Sequence, residues 1–453
     1  MTESVRECDV VVVGLGPGGE HAAAELARAG LEVVGLDERL VGGECPYYGC
    51  VPTKMMIAAA TALREGGRIA RLAGSARIDP SWEPVARRIR DEATDDWDDA
   101  VAVKRLEEAG ATFVRGRGVI TAADQVTVDG TTYAARKGIV LNTGTTPTAP
   151  PIEGLDRVDF WTNRDVVRLT ELPGSLIVIG GGAIGCEMAQ ALAEFGVQVT
   201  VLEVADRLVA AEEPEASEVL EKAFTELGIE VVTGARIERV SQDGDGFEVQ
   251  LATSSRSLRA ERLLVATGRR NNLSGIGLEH VGLDPESRVL DPDERMRVAD
   301  AVWAIGDITG KGGFTHVSMY QAAVVIRDLL GRDGPWADHR AVARVTFTMP
   351  EIGSVGLSEA AARERGIDVR TATGDLGSRG WITAESGVIK LVADADRGIL
   401  VGGCTVGPAG GEMLSMIATA VHAEIPIATL TGMHFAYPTY HRALEPVLRD
   451  LLQ

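Results

Sequence analysis

One device occurs twice in this chain and constrains its fold more than any other feature. Residues 9–13, Asp-Val-Val-Val-Val, form an apolar run of strand length. They lead into Gly14-Leu15-Gly16-Pro17-Gly18-Gly19, a helical stretch through 29, and a second strand, 32–36, that ends at Asp37. The same order returns at 176–179, with Gly180-Gly181-Gly182-Ala183-Ile184-Gly185, a helix to about 195, and a strand 198–202 ending at Glu203. A lone G-x-G-x-x-G says little. Strand, glycine turn, helix, strand and terminal acid in sequence are the context of a dinucleotide-binding unit. The first glycine permits the turn, the second lets backbone approach a pyrophosphate, and the third lets helix and strand pack closely. The helix start offers unpaired N–H groups to phosphate, and the acid accepts from ribose hydroxyls. The candidate cradles are Gly14, Gly16, Gly19 and Asp37, then Gly180, Gly182, Gly185 and Glu203.

Other segments fit the same architecture. Two strands end in Thr-Gly, at Thr143-Gly144 and Thr267-Gly268, and read as exits from the two nucleotide domains. The buried-type run 301–305 ends in Gly306-Asp307, which would set a carboxylate at a second point along an extended cofactor. The proline-rich stretch 147–151 and the stretch 331–339 read as linkers. Beyond 340, strands and helices alternate without a third glycine fingerprint. The expected fold is α/β, with two Rossmann-like dinucleotide-binding domains and a C-terminal α+β domain. Its divisions are 1–150, 151–270, a return to the first domain over 271–338, and 339–453.

Composition narrows the classes. A formal charge of −21 repels nucleic acid and anionic membranes, so neither is an expected partner. No run of eighteen apolar residues is present to span a membrane. The short charged segment before the first strand leaves no room for a signal peptide, which points to the cytoplasm. Five cysteines, at 8, 45, 50, 186 and 404, are an odd number without regular spacing, unlike a secreted disulfide framework.

Only Cys45 and Cys50 lie close together, in Gly-Gly-Glu-Cys-Pro-Tyr-Tyr-Gly-Cys-Val-Pro-Thr-Lys. Pro52 suits the first turn of a helix carrying residues 55–63, which places Cys50 at a helix N-terminus, where the dipole favours a thiolate. Lys54 adds positive charge one turn later. A dithiol in this position holds two electrons and releases them by thiolate attack. C-x4-C is also compatible with unrelated thiols or half a metal site, but no second Cys/His pair at ligand spacing accompanies it, so no metal is expected. Cys8, Cys186 and Cys404 read as ordinary small or buried residues.

Taken together, these motifs resemble the two-dinucleotide-binding-domain disulfide reductases, the class I pyridine nucleotide-disulfide oxidoreductases that include lipoamide dehydrogenase, glutathione reductase and mercuric reductase. The likeness runs nearly the full length and continues through Phe347-Thr348-Met349-Pro350-Glu351. It implies FAD at Gly14, Gly16, Gly19, Asp37 and Asp307, and a nicotinamide nucleotide at Gly180, Gly182, Gly185 and Glu203. It implies a flavin-facing Cys50, a substrate-facing Cys45, Lys54 beside the flavin and paired with Glu187, and a homodimer built through the last domain. Glu203 suits a ribose 2′-hydroxyl better than a 2′-phosphate, which favours NADH, while Arg207 nearby keeps NADPH open.

The chain departs from the family in one place. Most disulfide-reducing relatives end in His-Pro-Thr-x-x-Glu, an acid–base histidine and its orienting glutamate. Here the segment is Tyr437-Pro438-Thr439-Tyr440-His441-Arg442. Tyrosine is a poor base at neutral pH, and arginine does not titrate. His441 and His434 are the nearby imidazoles. Mercuric reductase relatives also carry tyrosine there, but their C-terminal cysteine pair has no counterpart in this sequence. The leading expectation is therefore an NAD(P)H- and FAD-dependent reductase of a small-molecule disulfide, working without the usual dyad. A metal-ion or quinone reductase and a carbon–sulfur-cleaving lyase or carboxylase are the alternatives.

Overall fold

The computed structural model describes residues 4–244, 246–252 and 256–453. Residues 1–3 of the expected first domain lie outside them. Two compact units divide the chain. The first comprises the residues up to Pro52 with Arg87–Pro147 and Arg269–His339, and the second Thr53–Ala86, Thr148–Gly268 and Arg340–Gln453.

The first unit is built on one mostly parallel sheet. Ser4–Val13 lies between Val33–Asp37 and Thr131–Leu141, with Thr112–Arg115 beyond the former and Val302–Ala304 beyond the latter. The Val10–Val13 run is buried on both faces, which is why it is continuously apolar. Val10 and Val12 pack with Leu26, Ala322 and Val325, while Val11 and Val13 pack with Ile120, Val126 and Leu278. Helices Pro17–Arg28 and Thr315–Leu329 cover the first of these faces.

The second unit holds a four-stranded parallel sheet in the order Glu230–Val232, Gln198–Leu202, Ser175–Ile179, Arg262–Val265. The helix Ala183–Glu194 follows its central strand. Its C-terminal part is a five-stranded antiparallel sheet, in which Glu351–Gly356 and Val388–Asp394 flank Ile399–Gly407. Gly410–His422 and Leu444–Asp450 supply helical packing to the same core. Lys390, 5% exposed, is held by Glu213, Glu215 and Glu359 at 2.9–3.0 Å, so the nucleotide-binding part and the antiparallel part of this unit share a buried ion cluster.

Two local details differ from the sequence reading. The proline-rich stretch is not wholly a linker, because Thr145–Pro147 pairs antiparallel with Arg269–Asn271. The two Thr-Gly exits thus run into one small ladder, with Pro147 at its end. The helix after the cysteine pair runs Cys50–Leu72, beyond the expected 55–63. Gly66 and Gly67 lower its propensity but do not end it.

Candidate active site

The two glycine cradles repeat one geometry. Gly14 has φ +91°, and a Cβ on it would lie 2.3 Å from the Asn142 carbonyl oxygen. A Cβ on Gly19 would lie 2.1 Å from the Gly14 oxygen, so the helix Pro17–Arg28 can start against the strand only without one. In the second unit Gly180 has φ +112° and a Cβ on it would lie 2.5 Å from Ala266 O, while a Cβ on Gly185 would lie 1.9 Å from Gly180 O. Gly16 and Gly182 are the N-caps, and neither helix start has a side-chain cap. In the first helix Pro17 has no N–H and Gly19 N is taken by Asn142 Oδ1 at 2.9 Å, so the helix start suits a phosphate mainly through its dipole and the glycine backbone.

The acids also match. Asp37 Oδ2 accepts from Leu15 N at 2.7 Å, and its Oδ1 from Arg39 N at 2.7 Å. Glu203 Oε2 accepts from Gly181 N at 2.5 Å, and its Oε1 from Ala205 N at 2.7 Å. Each carboxylate is therefore fixed by backbone on the residue after the first glycine, with further lone pairs open to hydroxyl donors. Burial raises the Asp37 pKa above the usual carboxylate value.

Arg207 is committed elsewhere. Its guanidinium donates to Ser217 Oγ at 2.9 Å and to the Ala210 carbonyl at 2.7 Å.

The first cradle fits an extended dinucleotide such as FAD. Thr143 Oγ1 is buried without a hydrogen-bond partner, Gly144 has open space around its Cα, and Asp307 sits at the start of a short 3-10 turn. Thr145 Oγ1 donates to Asp307 Oδ2 at 2.8 Å. Gly268, at the second exit, also has open space. Sequence reasoning missed Asn142, which accepts from Gly19 N at 2.9 Å and donates to Ile305 O at 2.9 Å. It also missed Gln321, which accepts from Gly306 N at 2.7 Å. The only available signal was an amide at a strand end and another in an apolar helix, and neither is specific.

Cys45 lies in a one-turn helix, Glu44–Tyr47, and Cys50 opens the long helix that follows. Cys50 Sγ lies 3.6 Å from Thr315 Oγ1. The Cys45 pKa is raised well above the ordinary thiol value, first by its hydrogen bond to Cys50 and then by burial. Glu44 pairs with Arg269 at 3.1 Å, and Arg269 also donates to the Thr145 hydroxyl at 2.7 Å. Within the first unit, this joins the cysteine loop to the Asp307 strand end. Burial pushes Cys8 up to about 11, raises Cys186 and pushes Cys404 up to about 12.

In the second unit Lys54 Nζ donates to Glu187 Oε2 at 2.7 Å and lies over the Phe347 ring. Glu187 Oε1 accepts from Phe347 N at 2.8 Å, and Gln190 makes a two-way amide pair with the Met349 backbone. The C-terminal segment of this unit carries Tyr437, His441, His434 and Arg442. Tyr437 is 69% exposed. His441 Nε2 lies 3.0 Å from Met416 Sδ, its ring is 5.0 Å from that of Phe435, and burial lowers its pKa. His434 is exposed. Arg442 forms an ion pair with Glu445. Among the described residues, no group of three or more His, Cys, Asp or Glu side chains could hold a metal ion. No helix among them is long and apolar enough to cross a membrane.

Residues 8–322 match the pyridine nucleotide-disulphide oxidoreductase family, and 342–447 match its dimerisation domain. The chain belongs to this family. It is 32% identical to a mercuric reductase of Streptomyces lividans, over 96% of this chain and 94% of that protein. It is 31% identical to a dihydrolipoyl dehydrogenase of Chlorobaculum tepidum, over 98% and 97%. The crystal structure of LpdA from Mycobacterium tuberculosis matches with a TM-score of 0.85 at 28% identity, covering 98% of this chain and 99% of that one. This pyridine nucleotide-disulphide oxidoreductase is therefore an FAD-dependent enzyme with NAD(P)H as its electron donor. The dimerisation domain supports a homodimer.

Proposed function

We propose that this enzyme uses NADH to reduce a soft, thiol-seeking metal ion at Cys45 and Cys50. Bound FAD supplies two-electron transfer between the nicotinamide and the cysteine pair. Gly14, Gly16, Gly19, Thr143, Gly144, Asp37 and Asp307 would hold it, and Gly180, Gly182, Gly185, Glu203 and Gly268 would hold the nicotinamide nucleotide. Lys54, fixed by Glu187, keeps a positive charge one helical turn after Cys50.

The observation that carries this reading is that a close cysteine pair, Cys45 and Cys50, is accompanied by tyrosine, not histidine, at position 437. The hydrogen bond to Cys50 and then burial raise the Cys45 pKa. Thiol–disulfide exchange needs a thiolate, so a thiol of raised pKa attacks an alkyl disulfide slowly. A coordinating metal ion deprotonates the thiol itself and dispenses with the base. For a two-electron acceptor the balance is NADH plus M2+ giving NAD+, H+ and the zero-valent metal; for a one-electron acceptor it is NADH plus two M2+ giving NAD+, H+ and two M+. Tyr437, with its exposed phenol, is suited to hydrogen-bonding or ligating, not to proton abstraction. The preference for NADH rests on Glu203 and on the engagement of Arg207 with Ser217 and Ala210. A working dithiol requires a reducing compartment, which favours the cytoplasm.

Similarity to a dihydrolipoyl dehydrogenase favours a second reading, a small-molecule disulfide as acceptor. NADH consumption measured with mercuric chloride, cupric chloride, oxidised lipoamide and glutathione disulfide separates the two. A kcat/KM at least about tenfold higher for a metal ion, lost in Cys45→Ser, supports the proposal. The opposite order replaces it with the disulfide reading.

A further inference from the structure

The segment that follows the short helix Glu83–Arg88 and the π-turn Ile89–Ala93 contains three consecutive non-glycine residues in the left-handed region. They are Asp95 at φ +48°, Asp96 at +55° and Trp97 at +58°. Aspartate visits this region as single residues, and a bulky side chain there is a genuine outlier. Such a run persists only where the surroundings hold it. Asp96 N donates to Arg90 O at 2.7 Å, and Asp98 N donates to Thr94 O at 3.2 Å. Buried Thr94 donates its hydroxyl to Ile89 O at 3.0 Å.

The run places two groups on the loop that carries Cys45. Trp97 Nε1 donates to the Tyr47 carbonyl at 3.0 Å. Asp99, buried and paired with Arg115, accepts from Val41 N at 2.6 Å. These contacts bracket Cys45 on both sides, and all of these residues belong to the first unit. The Tyr47 carbonyl has a physical need for a donor. It ends a one-turn helix, Tyr48 has already left helical geometry, and the returning N–H groups of Tyr48 and Gly49 both go to Glu44 O.

We propose that Trp97 is a positioning residue for the redox pair: its indole N–H fixes the Tyr47 carbonyl and thereby sets the approach of Cys45 to Cys50. Closing the pair removes two electrons and two protons and brings the Cβ atoms to about 3.5–4.5 Å, so the intervening backbone must hold one shape. A donor anchored on a strained, over-determined segment restrains that shape in a way a mobile surface side chain does not. The proposal rests on the reading of Cys45 and Cys50 as the electron-transferring pair.

The test uses the FAD-loaded enzyme. Trp97→Phe keeps an aromatic ring and removes the donor. It is expected to shift the dithiol–disulfide equilibrium against dithiothreitol by about tenfold, or about 30 mV, and to change the rate of Cys45 alkylation by at least threefold. Ferricyanide reduction by NADH in a Cys45→Ser background is expected to be the same with Trp97 or Phe at 97. Equilibrium and alkylation rate both within twofold of the parent would overturn the proposal. A second measurement leaves the residue in place. In 5-fluorotryptophan-labelled enzyme, the Trp97 19F resonance is expected to move when the pair is reduced, and not to move in Cys45→Ser. A resonance indifferent to the pair's state also overturns it. If the parent enzyme shows no long-wavelength charge-transfer band on anaerobic NADH titration, the reading of the pair itself has failed, an outcome separate from a failure of Trp97.

Discussion

Glu187 binds Lys54 with one carboxylate oxygen and the Phe347 backbone with the other, at 2.7 and 2.8 Å. The second nucleotide helix thereby fixes both the lysine one turn after Cys50 and the first strand–turn of the C-terminal sheet. Glu187→Gln retains an oxygen for one partner but loses the charge facing Lys54. It is expected to cost about 1.5–3 kcal/mol of stability, the range for a hydrogen bond to a charged group. Thermal melts of the holoenzyme read the cost, and a weakened charge-transfer absorbance on NADH titration reads the effect on the cysteine pair.

Alkylation distinguishes the five cysteines. Iodoacetamide added to the NADH-reduced native enzyme is expected to label only Cys45 and Cys50. Cys8, Cys186 and Cys404 are buried, and burial raises all three thiol pKa values. Labelling of Cys45 is expected to keep rising with pH through neutrality, without a plateau there, because the thiolate reacts and its pKa is raised. Peptide mass spectrometry across about pH 6–9, which brackets the ordinary thiol value, shows both outcomes.

Under the proposed function, position 437 is expected to govern the proton supply. Tyr437→His is expected to raise turnover of alkyl disulfides by about tenfold, below the roughly 10²–10⁴ of a fully oriented general acid–base group. The orienting position holds Arg442, which is engaged with Glu445. Tyr437→Phe should leave the fold unaltered, since the side chain is largely exposed. An unchanged rate and pH profile in Tyr437→Phe would remove any role for the phenol.

The imidazole of His441 contributes to acid sensitivity instead. Burial depresses its folded-state pKa, so its stabilisation is complete above the unfolded value of about 6.5 and declines as pH falls below it. His441→Gln is expected to flatten the stability profile between about pH 6.5 and 5, as measured by urea unfolding.

The Lys390 cluster gives a purely structural prediction. Lys390→Met strands Glu213, Glu215 and Glu359 without their shared cation. Removing one partner of a buried ion pair costs about 3–5 kcal/mol, discounted here because Glu215 and Glu359 are partly exposed. Calorimetry of the holoenzyme is the measurement, with NADH affinity as a check that the nucleotide cradle survives.

The sequence by itself determined the parts whose signals are local. Glycine spacing, apolar strand runs and the terminal acids announced both cradles, because turn geometry and burial leave a mark within some thirty residues. The Cys45–Cys50 pair and the helix beginning at Cys50 were legible for the same reason. Glu187 and Lys54 were paired only by family resemblance. Tertiary structure alone decided where the remaining polar groups found partners. It gave the second oxygen of Glu187 to Phe347, drew Arg207 to Ser217, packed His441 against Met416, and aimed Trp97 at the carbonyl between the two cysteines. A buried donor or acceptor must be satisfied by whatever the fold brings within reach, and no periodicity in the chain encodes that neighbour.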